Sequence, residues 1–91
     1  MRAAKVDANQ PEIVAALRAV GATVQPLHTV GRGCPDLLVG WRGRNHLIEV
    51  KDGSKSPSKR RLRASQVEFA AWWPVHVVES VEQAMAVLRA A

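Results

Sequence analysis

The sequence predicts a single α/β domain spanning residues 1–91, with elements in the order αβββαβα around a central mixed sheet. Three observations predict it. A helical apolar stripe closed by a glycine lies near the start, two short apolar runs joined by turn-forming residues lie in the middle, and a helix–strand–helix pattern punctuated by Pro74 and Ser80 lies near the end.

The first helix is expected over 10–20, because Ile13, Val14, Leu17 and Val20 share one face and Gly21 follows. Asn9, with Pro11 in the first turn and Glu12 three residues on, forms a capping-box pattern. Thr23 to His28 reads as a strand, and Pro26 places it at an edge or a bulge. Gly31-Arg32-Gly33-Cys34 is a loop; it is no P-loop, since no Gly-Lys-Ser/Thr follows at the required spacing. Leu37 to Trp41 and His46 to Lys51 are apolar runs, and Arg42-Gly43-Arg44-Asn45 between them makes a β-hairpin. Residues 65–73 form a second helix, with Ser65 and Glu68 as its capping box and Pro74 as its stop. Val75 to Glu79 is a fourth strand, and Ser80 with Gln83 caps a last helix to about Arg89.

The chemistry is concentrated on the hairpin. Folding the second strand back on the first makes neighbours of Asp36 and Glu49, thirteen residues apart in sequence. Glu49 and Lys51, two apart, project from one face. Paired carboxylates repel, and a divalent cation turns that cost into a site; oxygen ligands favour Mg²⁺, with Mn²⁺ as a substitute. Lys51 beside two carboxylates keeps its charged form, which suits it to stabilising a phosphorane or orienting a water rather than to general-base work. The plain alternative is a surface hairpin whose cross-strand charge pairs contribute some tenths of a kcal/mol each.

Composition fits an anionic partner. The chain is 47% hydrophobic, which argues against disorder, yet 13 Lys and Arg against 8 Asp and Glu leave a net charge of +5. Lys55, Lys59, Arg60, Arg61 and Arg63 follow the second hairpin strand in a Ser/Pro/Gly-containing loop, a pattern that grips phosphates or, more plainly, makes a solvated charge run. Arg32, Arg42 and Arg44 lie on loops that extend this track. The lone Cys34 excludes an intramolecular disulfide and reads as a packing residue. His28, His46 and His76 lack metal-ligand spacing, although His28 has the position to face the hairpin site. The longest uncharged apolar stretch, Phe69 to Val78, is too short to span a bilayer, so a soluble cytoplasmic protein is expected. Neighbours on a helix diverge by about 100°, so one of Trp72 and Trp73 is expected in the core and the other at an interface.

The wider pattern resembles a known family. Asp36, Glu49 and Lys51 match the PD-(D/E)XK nuclease signature. The chain from Val6-Asp7-Ala8-Asn9-Gln10 through Glu49-Val50-Lys51-Asp52-Gly53 to Ser65-Gln66-Val67-Glu68-Phe69 is similar to the small phage-type VRR-NUC nucleases, whose plan is similar to that of Holliday junction resolvases. That resemblance implies a restriction-endonuclease-like fold and a metal site completed by Glu12 and the Val50 carbonyl, with Gln66 supporting it. It implies a metal-dependent, structure-specific DNA endonuclease acting on branched DNA or four-way junctions as a homodimer, in a bacterial or phage-infected cell. A nicking or double-strand endonuclease with looser preference is the alternative within the class. A non-catalytic DNA-binding adaptor is the alternative outside it, and the intact acidic residues count against that.

Overall fold

Ile13 and Leu17, one helical turn apart, are wholly buried, and the domain is assembled around the stripe they make. The computed structural model describes residues 6–90. Helix α1 (Gln10–Ala19) carries that stripe and ends in a Schellman motif: Ala22 N–H donates to the Leu17 carbonyl at 3.1 Å and Gly21 N–H to the Arg18 carbonyl at 3.0 Å. Gly21 sits at φ 99°, the left-handed conformation this ending needs.

Four strands follow the expected order: β1 (Thr23–Pro26), β2 (Leu37–Trp41), β3 (Arg44–Val50) and, after a long crossover, β4 (Val75–Val78). They lie side by side as β1-β2-β3-β4, with β1–β2 and β2–β3 antiparallel and β3–β4 parallel. The mixed sheet is therefore borne out. So is the edge position of β1, which holds Pro26 where a missing N–H costs no central ladder bond.

One face of the sheet turns Val24, Leu37, Val39, Ile48, Val50 and Val78 toward α1 and α4 (Val81–Arg89), which adds Ala84 and Leu88 to the same core. The cap expected on α4 is present, with the Ser80 hydroxyl accepting from Gln83 N–H at 3.1 Å. By the twofold alternation of strands, Leu38, Leu47, Glu49 and Val77 face the other way, and Val77 is 42% exposed.

Three expectations are corrected in the crossover. Residues assigned to a loop contain a short helix, α2 (Pro57–Arg60). Helix α3 (Ala64–Trp72) starts one residue before Ser65, so Gln66 occupies its third position and the main-chain N–H of Arg63, not Ser65, is the capped group. Neither tryptophan enters the core: Trp72 is 83% and Trp73 55% exposed, and α3 buries none of its residues. The cause is local. Pro74 forces Trp73 into extended backbone at ψ 134°, and Trp73 then stacks on Phe69 with centroids 5.7 Å apart, along α3 rather than under the sheet.

These burials fix where stability resides. Leu17→Ala is expected to cost about 2–5 kcal/mol, whereas Trp72→Ala should stay within about 0.5 kcal/mol of the parent. Urea unfolding of both variants checks it; a Trp72→Ala penalty comparable with that of Leu17→Ala would contradict this packing.

Candidate active site

The hairpin is closed by a two-residue turn with Arg42 at φ 50° and Gly43 at φ 79°, the left-handed pair that a type I′ turn requires. The turn fixes the register: Leu37 pairs with Ile48, and one step further along the ladder Asp36 comes opposite Glu49. The Asp36 Oδ2 carboxylate oxygen accepts the Val50 N–H at 2.8 Å, which ties the entry to β2 to the end of β3. The two carboxyls are near enough that each perturbs the ionisation of the other.

Burial puts both acids under electrostatic load. Glu49 is 4% exposed and Lys51 8%, an uncommon degree of burial for charged residues. Burial first, then the charge of Asp36, pushes the Glu49 carboxyl up from 4.5 to about 7, with Lys51 acting in the opposite direction. Asp36 is also raised, by burial above all; the Val50 N–H opposes this and the Asp7 charge adds to it. The same surroundings raise the Cys34 thiol, through burial and then Glu49 and Asp36, which leaves it a neutral packing group.

Gln66 links the charged groups. Its Nε2 donates to Glu49 Oε2 at 2.9 Å, while its Oε1 accepts from Lys51 Nζ at 3.1 Å and from Arg63 N–H at 2.8 Å. Lys51 Nζ is 3.5 Å from Glu49 Oε2. The side chain that caps α3 thus also orients the acid and the lysine. Gly33 permits the approach: at φ 75°, a Cβ there would lie 2.2 Å from the Ser65 carbonyl oxygen.

A cleft of about 470 Å³ opens over these groups, with Asp36, Glu49, Lys51 and Gln66 along it and Arg32, Lys55, Lys59, Arg61 and Arg63 around its rim. His28 also lines it, with a buried Nδ1 that has no hydrogen-bond partner among the described residues. Arg60 is turned away: its Nη1 reaches both Glu79 carboxylate oxygens, at 3.0 and 3.1 Å, and pins α2 to the end of β4. Arg42 and Arg44 sit at the turn end of the hairpin and line a separate cleft with Trp41, so they do not extend the rim.

The acid near α1 is corrected as well. Glu12 is exposed on α1 and lines no part of the cleft; Asp7, just before the helix, lines it instead and meets Lys55 at 3.7 Å. Asn9 makes no side-chain cap. Its Nδ2 donates to the carbonyls of Lys51 and Glu79, each at 3.1 Å, holding the chain as it leaves β3 and β4. Spacing along the chain gave no signal for this role, because the two partners lie 42 and 70 residues away.

The donor chemistry fits a hard divalent cation. Two buried carboxylates side by side, one of them held back from ionising, are an oxygen-donor pair whose mutual repulsion a divalent cation relieves; His28 and Cys34 line the same cleft, but the Cys34 thiol is pushed toward its neutral form and is a poor ligand as it stands. Among the described residues no three His, Cys, Asp or Glu side chains are grouped so as to hold a metal ion.

A buried acid pair, a lysine two residues beyond the second acid, and a basic rim on the central hairpin of a mixed sheet define a restriction-endonuclease-like nuclease fold. The chain is similar to a solved structure described as a VRR_NUC domain, at 29% identity and a TM-score of 0.58, covering 91% of this chain and 97% of that one. No family model matches the sequence, and no curated protein does. The resemblance to that family is borne out in the fold, which is that of a VRR-NUC nuclease domain. Among the described residues no helix is long and apolar enough to cross a membrane.

The raised Glu49 pKa sets a pH dependence. Because the folded value, about 7, exceeds the ordinary 4.5, the contribution of this group to stability is full below pH 4.5 and is lost as pH rises through 7. Melting in EDTA should therefore show the parent losing stability relative to Glu49→Gln between pH 5 and 8. Parallel pH profiles for the two proteins would mean that Glu49 ionises normally.

Proposed function

We propose that the domain is a metal-dependent DNA endonuclease that hydrolyses phosphodiesters at branched sites such as four-way junctions, working as a homodimer. The observation that carries the reading is the convergence of Asp36, Glu49, Lys51 and Gln66 in a cleft rimmed by cations. Asp36, Glu49 and the Val50 carbonyl would hold Mg²⁺, with Mn²⁺ able to replace it. Glu12 has no part in this set, and Asp7 is the outer acid beside it. Held there, the ion would lower the pKa of a water and offset charge on the scissile phosphate.

The protein's own groups do the remaining work. Lys51 Nζ, pre-aimed by Gln66 Oε1 and Glu49, presents protons to a non-bridging phosphate oxygen or to the attacking water and meets the charge that develops there. Gln66 Nε2 keeps Glu49 in one rotamer, so the acid does not reorganise as charge builds. Arg32, Lys55, Lys59, Arg61 and Arg63 bind phosphates on either side of the cut. The homodimer follows from the substrate, since paired cuts across a junction need two sites related by a twofold axis. An exposed sheet edge or the apolar surface around α3, where Val67 and Trp73 are each 55% exposed, would supply the contact.

The decisive assay compares linear duplex, single strand, flap and four-way junction in Mg²⁺, Mn²⁺ and EDTA. Asp36→Ala and Glu49→Ala should abolish cutting while DNA binding largely persists, and Lys51→Ala should be severely impaired. Cleavage by either acid variant at the parental rate would remove the assignment. Sedimentation without DNA tests the homodimer, and a strictly monomeric protein nicking one strand of a junction would refute paired cutting alone.

The rim makes a separate prediction. Replacing Arg61 and Arg63 with alanine should flatten the slope of log affinity against log salt on duplex DNA by up to about 2, at about 0.9 per phosphate contact. Arg60→Ala should leave that slope unchanged, because its guanidinium is held by Glu79. A slope insensitive to the double substitution would make the rim an ordinary solvated surface.

A further inference from the structure

Beside the catalytic cleft lies a second groove of about 340 Å³, formed by Arg32, Ser65, Glu68, Phe69, Trp72 and Trp73. Arg32 and Ser65 line both, so the two adjoin. Arg32 forms the ridge between them in a left-handed conformation, φ 57°, within a tight turn closed by Cys34 N–H on the Gly31 carbonyl at 3.1 Å. An arginine held where glycine is the less strained choice marks the position as one where the side chain matters.

We propose that this groove receives an unpaired nucleobase of the nucleic-acid strand whose phosphate lies in the catalytic cleft, and that it thereby selects substrates with unstacked nucleotides next to the cut. The inference rests on the nuclease reading and deepens it. Three observations select a base as the occupant. Trp72 is 83% exposed on a helix that buries nothing, and Phe69 with Trp73 forms a stacked pair whose rings lie 18° from parallel; flat aromatic faces of this kind bind bases without regard to sequence. Arg32 lies where it can hold the phosphate linking the two subsites. Glu68 on the same rim repels a phosphate but accepts hydrogen bonds from the N–H groups of a base edge, which sets this groove apart from the mainly basic rim of the cleft.

In a paired duplex every base is stacked on its neighbours and hidden from such a platform. A flap or branch point offers one already free. The groove therefore supplies a preference for branched substrates through a single protein chain.

The test measures binding in EDTA to two fluorescent DNAs of equal length, a blunt duplex and the same duplex carrying a single-stranded flap. Trp72→Ala should weaken flap binding roughly 5- to 100-fold and leave blunt-duplex binding unchanged, and Trp72→Phe should restore most of the loss. An abasic site at the flap nucleotide next to the junction should weaken binding by the parent to a similar extent. Equal losses on both DNAs, no loss on either, or conversion of a dimer to a monomer by Trp72→Ala would overturn the proposal; the last would give the aromatic surface to a second copy of the chain. Cleavage keeps the two readings apart. A parent that cuts DNA while Trp72→Ala binds the flap normally defeats the groove alone, whereas a parent that neither binds nor cuts any DNA defeats both.

Discussion

The contact between Asp36 and the Val50 N–H is the constraint from which the rest of the site follows. It places one carboxylate at the end of the central hairpin, directly beside a second on Glu49, in surroundings that disfavour charge on either. Each further polar contact nearby acts on that problem. Lys51 brings opposite charge, Gln66 donates to Glu49 and accepts from Lys51, and Asn9 holds the main chain that carries Lys51. A buried pair of like charges is costly in isolation, so its arrangement is tolerated only where these partners are also fixed.

The basic run shows how local geometry divides apparently equivalent residues. Lys59 and Arg60 are adjacent on α2, and the helical turn of about 100° per residue sends their side chains in different directions. One reaches the cleft; the other forms a two-pronged ion pair with Glu79 and anchors the segment. Arg60 is half-buried and paired on both carboxylate oxygens, so its charge is already met within the fold, whereas Lys59 and Arg61 line the cleft. Counting charges in the sequence could not make this distinction, since Glu79 lies 19 residues away.

Much of the fold was legible because its signals are local. The Gly21 stop, the edge Pro26 and the Ser80–Gln83 cap each depend on a few consecutive residues, and the structure has all three; the hairpin is present too, but its turn is Arg42-Gly43 alone, with Arg44 and Asn45 already paired in β3. The acid–lysine core was legible for the same reason, since hairpin register brings Asp36 to Glu49 once the turn is located. What failed to show depends on long-range contacts. Asn9 looks like a cap until its two carbonyl acceptors are known, and Glu12 looks better placed than Asp7 until the entry path of the chain is fixed. The tryptophans misled because hydrophobicity signals burial only if something packs against the residue. No second helical layer encloses α3.

That last point links stability to function. Since α3 buries none of its residues, its position is set mainly at its first turn, by the hydrogen bonds of Gln66 and by the close approach of Gly33 to Ser65. The bonds that locate the helix are therefore the bonds that orient Glu49 and Lys51. The site and the first turn of α3 thus share their hydrogen bonds, whereas the core under α1 and α4 includes no residue of α3. The fold in this way keeps its core on one face of the sheet and its acidic cleft on the other, joined through β3, which sends Ile48 and Val50 into the core and Glu49 into the cleft.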